Sequence, residues 1–220
     1  MDESAVVETS RETLTIEVYA DVACPWCWIG EQRLERALAA RPELRVERHW
    51  RPFLLQPDLP PAGIPWAAFV DGKFGGIDRA APMFAHVASV GAQDGLEFRF
   101  DRITRASNTR DAHRLILFAR SHGREWAVAH ALFEAYFRDG VDVSDRDALL
   151  GIAEAQGMPR EAAAAWLDSR EGEAMVEQSR VMASRLGIRG VPFVVVNGVL
   201  GVSGAQPTEV FLQALDEGGR

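Results

Sequence analysis

Two residues offer this sequence its most specific chemistry. Cys24 and Cys27 are the chain's only cysteines, and they stand as Cys-Pro-Trp-Cys. A thiolate attacks a disulfide sulfur, and a second thiol close behind can release the trapped product. The first sulfur must be ionised to act, and a helix start, with its unpaired N–H groups and positive dipole end, favours the anion. The spacing therefore assigns Cys24 as the attacking thiol and Cys27, one helical turn on, as the resolving one. Two other readings exist. A zinc site wants about four ligands. There is no second cysteine pair, and the histidines at 49, 86, 113, 122 and 130 form no pair beside the motif, so no metal is expected. Two inert core cysteines are the remaining reading, because free Cys is often buried. The strand–CxxC–helix context speaks against it.

The elements that must hold the pair can be read around it. Residues 14–20, LTIEVYA, alternate Leu14, Ile16 and Val18 with polar neighbours and predict a strand. Asp21 ends it and is expected in solvent, with a proton relay as its other reading. Pro25 suits a first helical turn, and Ile29, Leu34, Ala37 and Leu38 recur at helical spacing up to Pro42. Residues 44–53 alternate again, so the start reads strand, helix, strand, with a parallel pair as the usual outcome.

The middle reads differently. Residues 57–65 form a proline-rich loop. Helices are expected at 67–73, 78–89, 110–122, 126–138, 145–156, 159–169 and 171–186. Asn108 or Thr109 caps the third of these, and Ser144-x-x-Asp147 is a capping-box variant at the fifth. The only strand signal in this block is LEFRF at 96–100. Residues 191–196 and 199–202 then form strands around the hairpin turn Asn197-Gly198, and Pro207 opens a last helix. The fold class is α/β, a βαβ…ββα sheet with an inserted all-helical block. The outer pieces are residues 12–62 and 174–217, and the insertion is 63–173.

Composition excludes several function classes. The chain has 220 residues, and its net charge of −8 is spread without a basic run, which argues against nucleic acid or an anionic membrane as partner. The first ten residues, MDESAVVETS, lack the basic start and apolar run of a secretory signal. No stretch approaches the ~18 apolar residues of a membrane span. The expected setting is cytoplasmic.

The stretches DVACPWCWIG, SNTRDAHRL, GIRGVPFVVVNG and SGAQP together resemble the DsbA family of thioredoxin-like proteins, and within it the cytosolic FrnE-like dithiol–disulfide isomerases. The likeness runs from about Leu14 to Leu215. It implies a thioredoxin-like domain interrupted by a helical one. It also implies a cis bond before Pro192, facing the cysteines, with the Val191 backbone pairing to an extended substrate. It places Trp26 and Trp28 at the rim of the cleft, with plain core packing as the other reading of either, and Asn108 and His113 near substrate; a helix cap and a helix-face histidine are the plainer readings of the last two. The best-known members carry a histidine between the cysteines. Here Trp26 takes that place, and a milder oxidant is expected.

The function expected is thiol–disulfide exchange or isomerisation through the Cys24–Cys27 pair, without a bound cofactor, on thiol- or disulfide-containing proteins or small molecules, with glutathione as a candidate electron donor. The alternatives are a kappa-type glutathione-dependent transferase or isomerase, which typically has serine where Cys24 stands, and a peptide-holding chaperone that uses the same cleft without redox chemistry.

Overall fold

The structure, a computed structural model, describes residues 13–219. The acidic start that was read for a signal sequence lies outside the described residues. Strand β1 (Leu14–Ala20) leads through a short turn into helix α1 (Pro25–Ala39), and β2 (Val46–Pro52) returns parallel to β1. Near the other end, β5 (Phe193–Val196) runs antiparallel to β1, and β6 (Leu200–Ser203) antiparallel to β5. The sheet order is β2-β1-β5-β6. This is a thioredoxin-like α/β sheet.

Between β2 and β5 lie β3 (Ile64–Pro65), α2 (Trp66–Phe74), α3 (Ile77–Gln93), β4 (Arg105–Ala106), α4 (Arg110–Arg120), α5 (Glu125–Phe137), α6 (Arg146–Ala155), α7 (Arg160–Asp168) and α8 (Glu173–Arg185). Helix α9 (Thr208–Gly218) ends the described chain. Side chains alternate across a strand, and β1 uses both faces. Leu14, Ile16, Val18 and Ala20 enter the main core with Ile29, Leu34, Phe211 and Leu215. Tyr19 points the other way, to Ala183 of α8, Ile188 and Val195. The central strand is therefore buried on both sides, and the turn after it starts from a fixed platform.

The hairpin turn is held as its residues suggest. Asn197 and Gly198 both take positive φ, 49° and 71°. The Asn197 amide accepts from the Thr15 N–H at 2.9 Å and donates to the Gly218 carbonyl at 2.9 Å, tying the β5–β6 turn to both chain ends of the domain.

Two local expectations fail. LEFRF forms no strand: Phe100–Arg102 is a single 3-10 turn, and β3 pairs with β4 instead. Leu96 and Phe98 are buried, so the alternation is real, but it packs an extended segment onto helices. A Cβ at Gly91 would come within 2.3 Å of the Phe98 ring, which shows how closely that ring lies on α3. The capping box is shifted by one. Asp145, not Ser144, caps α6, accepting from the Ala148 N–H at 2.8 Å. The Ser144 hydroxyl turns back to Asp142 at 2.5 Å.

Candidate active site

The sequence places Cys24 at the boundary between turn and helix. Its N–H donates to the Asp21 carbonyl at 2.9 Å, which closes the turn after β1. Its backbone is still extended (φ −101°, ψ 110°), and Pro25 is the first helical residue, where a missing N–H costs nothing. The Cys27 and Trp28 N–H groups donate to the Cys24 carbonyl at 3.0 and 3.4 Å. Cys24 thus stands at the positive end of α1.

Both cysteines are free thiols. The Cys24 thiol faces the Val191 carbonyl, with Sγ 3.6 Å from the oxygen. The Val191–Pro192 peptide bond is cis. Pro192 lies directly on α1, and Gly30 permits this: a Cβ there would come within 2.8 Å of Pro192 Cγ. The Gly204 N–H donates to the Pro192 carbonyl at 2.8 Å and pins the loop from its far side. Residues 167 positions apart in the chain so converge on one sulfur.

Cys24 is only 4% exposed. Its opening is not a broad surface but a cavity of about 310 Å³ that it lines together with Trp26 and Val191. Cys27 is 1% exposed and lies behind it. Burial pushes the Cys27 thiol well above its usual range, and the neighbouring Cys24 sulfur and the Asp21 carboxylate add to the shift. One sulfur is therefore presented to a cavity, and the other is held back as a thiol.

Asp21 corrects the sequence reading. It is 1% exposed, not in solvent. Its carboxylate accepts from the Ala23 N–H at 3.1 Å and the Leu55 N–H at 2.8 Å, and His113 Nε2 lies 3.6 Å away. Burial pushes this carboxyl up, but the His113 ring and the two backbone N–H groups outweigh it and hold it below the ordinary carboxylate range. Asp21 thus fixes the turn that carries Cys24 to the loop that follows β2.

His113 and Asn108 do not reach the cavity. His113 is fully buried, with Nδ1 accepting from the Trp50 indole at 3.0 Å and Nε2 donating to the Phe53 carbonyl at 3.1 Å. A nitrogen that accepts the indole N–H carries no proton, so Nε2 holds the ring's hydrogen. Both nitrogens are used inside the protein, which replaces the substrate contact expected of this residue. The Asn108 amide donates to the Leu59 carbonyl at 2.7 Å and accepts from the Arg110 N–H at 3.0 Å, tying the proline-rich loop to the start of α4.

The two tryptophans separate. Trp26 is half-buried and lines the cavity. Trp28 is a core residue, not a rim residue. It is 5% exposed, edge-on to Phe98 at 5.0 Å and stacked with Phe133 and Phe137 at 6.2 and 6.1 Å. Residues two apart on a helix point to different faces, so only one of the pair could face the opening.

Among the described residues, Glu31, Glu35 and His130 bring their ligand atoms within 4.8 Å of one another, as a metal site would. Arg48 already pairs with both carboxylates. Its guanidinium bonds Glu31 Oε1 at 2.6 Å and also Glu35, and it lies 3.7 Å from the Trp126 ring. His130 Nε2 is 3.4 Å from the same Glu31 oxygen. Burial pushes the Glu31 carboxyl up, and Arg48 and His130 outweigh it to bring it below the usual range. Burial pushes His130 down, and Glu31 outweighs that to raise it. A dication here would meet the Arg48 charge at close range. The cluster is an ion-pair network that locks α1 to β2 and α5.

Comparison with known proteins places this geometry. The DSBA-like thioredoxin domain family matches residues 15–216. A probable DsbA oxidoreductase from Streptomyces coelicolor is 35% identical, with a TM-score of 0.83 over 93% of this chain and 89% of that one. The cytosolic disulfide reductase DsbM from Pseudomonas aeruginosa, whose structure contains GSH, is similar in fold at 21% identity, with a TM-score of 0.65 over 92% of this chain and 98% of that one. An uncharacterised protein, YwbO of Bacillus subtilis, is 23% identical over 209 residues, 93% of this chain and 97% of its own length. With two free thiols spaced CxxC at a helix start on a thioredoxin-like sheet, the chain belongs to the DSBA-like thioredoxin domain family, that of the DsbA-type thiol–disulfide oxidoreductases.

Proposed function

We propose that the protein is a dithiol–disulfide oxidoreductase or isomerase in which Cys24 attacks and Cys27 resolves. The observation that carries this reading is the asymmetry of the pair. Cys24 opens to a cavity at the start of α1, and Cys27 is buried behind it with its thiol pushed up.

The steps balance without a bound cofactor. The Cys24 thiolate attacks one sulfur of a substrate disulfide. A Cys24–substrate bond forms, the substrate S–S bond breaks, and the other half leaves as a thiolate. Cys27 then loses its proton and attacks the Cys24 sulfur, expelling the second half. The substrate gains two electrons and the pair becomes a disulfide. Run backwards, the pair oxidises two thiols. If a substrate thiolate attacks before Cys27 does, the substrate disulfide is reshuffled and the pair ends reduced. Glutathione, present with the DsbM relative, is the candidate donor that re-reduces the pair.

Val191 is proposed to hold an extended substrate through its backbone, with Pro192 shaping the loop opposite Cys24. Trp26 lines the same cavity from α1. The cytoplasmic setting read from the sequence belongs to the same proposal. No helix among the described residues is long and apolar enough to cross a membrane.

The test is a single turnover. Fully reduced protein mixed with excess disulfide should consume one disulfide per chain, and intact mass should show the loss of two hydrogens from the Cys24–Cys27 pair. A pair that stays reduced, under conditions where free dithiothreitol reduces the same disulfide, overturns the proposal.

A further inference from the structure

The cavity beside Cys24 is built for a particular kind of molecule. Its walls come from the insertion: Trp66 and Phe69 of α2, Phe84 of α3, then Phe100 and Phe137, with Trp26 at the cysteine end. The rings form a continuous wall, Trp66 to Phe84 at 5.7 Å and Phe84 to Phe100 stacked at 4.5 Å. Such a wall favours a flat apolar body.

The wall carries one charge. Lys73 lines the cavity and is exposed, and no carboxylate lines it among the described residues. It is the only lysine in a chain of net charge −8. Its ammonium sits 5.2 Å from the Phe69 ring and 5.9 Å from Phe74, and it makes no ion pair among the described residues. Most arginines of this protein have carboxylate partners. This cation instead rests on ring faces at the edge of an apolar cavity.

We propose, resting on the reading of Cys24 as the attacking thiol, that the substrate is a small aromatic disulfide bearing an anionic group. Its ring lies against the α2–α3 aromatic wall, its anion meets Lys73, and its sulfur reaches Cys24. A peptide fits the α2–α3 end of the cavity poorly. Beyond the Val191 backbone and the Gln56 side chain its N–H and C=O groups would need partners along the aromatic wall, and two hydroxyls of that wall are already engaged: Tyr136 donates to the Arg105 carbonyl at 3.3 Å and Ser107 to Asp142 at 2.7 Å. Oxidised glutathione brings several charges and amides, and burying them unpaired is costly. It is therefore a poorer occupant of the cavity than an aromatic disulfide, and the same holds for the reduced form when it attacks Cys24 as electron donor.

The experiment compares single-turnover rates of the reduced full-length protein with three disulfides: dithiobis(nitrobenzoate), which is aromatic and anionic; dithiodipyridine, which is aromatic and neutral; and oxidised glutathione. Each rate is divided by that of mercaptoethanol with the same disulfide, which removes intrinsic reactivity. The expected order is nitrobenzoate, then dipyridine, then glutathione. Lys73→Gln should lower the nitrobenzoate ratio about fivefold, Lys73→Glu should lower it further, and both should leave the other two ratios within about twofold. Lys73 is exposed, so these variants leave the fold intact. Equal ratios for all three disulfides overturn the proposal, as does an equal effect of the Lys73 variants on all three. A disulfide-bonded peptide with a higher ratio, unaffected at Lys73, overturns it in favour of a peptide substrate. Failure to react with any disulfide overturns the exchange reading itself, and this inference with it.

Discussion

Serine in place of Cys24 should cut disulfide exchange by about a thousandfold or more, equivalent to ~4 kcal/mol of transition-state stabilisation, whereas serine in place of Cys27 should leave the attack and trap its product. The reasoning is chemical. A hydroxyl at position 24 is not ionised at neutral pH and cannot replace the thiolate. A hydroxyl at position 27 cannot displace a sulfur, so the Cys24–substrate mixed disulfide should accumulate to one per chain by intact mass. In the wild type the lifetime of that intermediate should depend on pH. Burial, the largest cause of the Cys27 shift and one that persists once Cys24 is bonded to substrate, holds this thiol above its usual range. Below that pKa the thiolate share grows about tenfold per pH unit. The intermediate should therefore persist at low pH and shorten by roughly that factor per unit as pH rises. Stopped-flow mixing followed by acid quench and mass analysis would show it. A lifetime that does not change with pH would mean that Cys27 is not the group whose proton must leave.

Trp28→Ala should be among the most damaging substitutions for stability, and Trp26→Ala among the mildest. Trp28 fills the space between α1 and the Phe98, Phe133 and Phe137 rings. Truncating such a residue costs about 3–5 kcal/mol in lost transfer energy and an unfilled hole. For a chain of this size that lowers the melting temperature by roughly 10 °C or more. Trp26 is half-buried at the cavity, so its loss should change stability little and act on the exchange rate instead. Thermal melts of the two variants separate the roles. Equal melting temperatures would contradict the packing described here.

The sequence made some of this legible because the signals were local. The strand alternation of Leu14, Ile16 and Val18, the proline after Cys24, and the Asn197-Gly198 turn each act within a few residues, and each is found where expected. Apart from the shifted capping box, the failures share a cause, which is that distant chain segments supplied the deciding partner. Asp21 looked like a strand end in water, but the Leu55 N–H and His113, dozens of residues away, enclose it. His113 looked available to a ligand, but Trp50 and Phe53 take both its nitrogens. LEFRF alternated like a strand, yet its Arg99 N–H finds the Phe137 carbonyl at 2.7 Å rather than a neighbouring strand. The cavity was not legible at all. Its aromatic wall is drawn from α2, α3 and α5 and from the 3-10 turn at Phe100, and no short window of sequence holds them together. Lys73, the chain's single lysine, was the one signal that could have pointed there.

Everything rests on the two sulfurs being unequal, the first reachable from the cavity, the second withheld. Competitive alkylation of the reduced protein with limiting iodoacetamide, read by peptide mass mapping, measures that inequality directly. Carboxamidomethyl is expected on Cys24 first, with Cys27 unmodified until the protein is unfolded. Modification of Cys27 first, or of both at one rate in the folded protein, would contradict it.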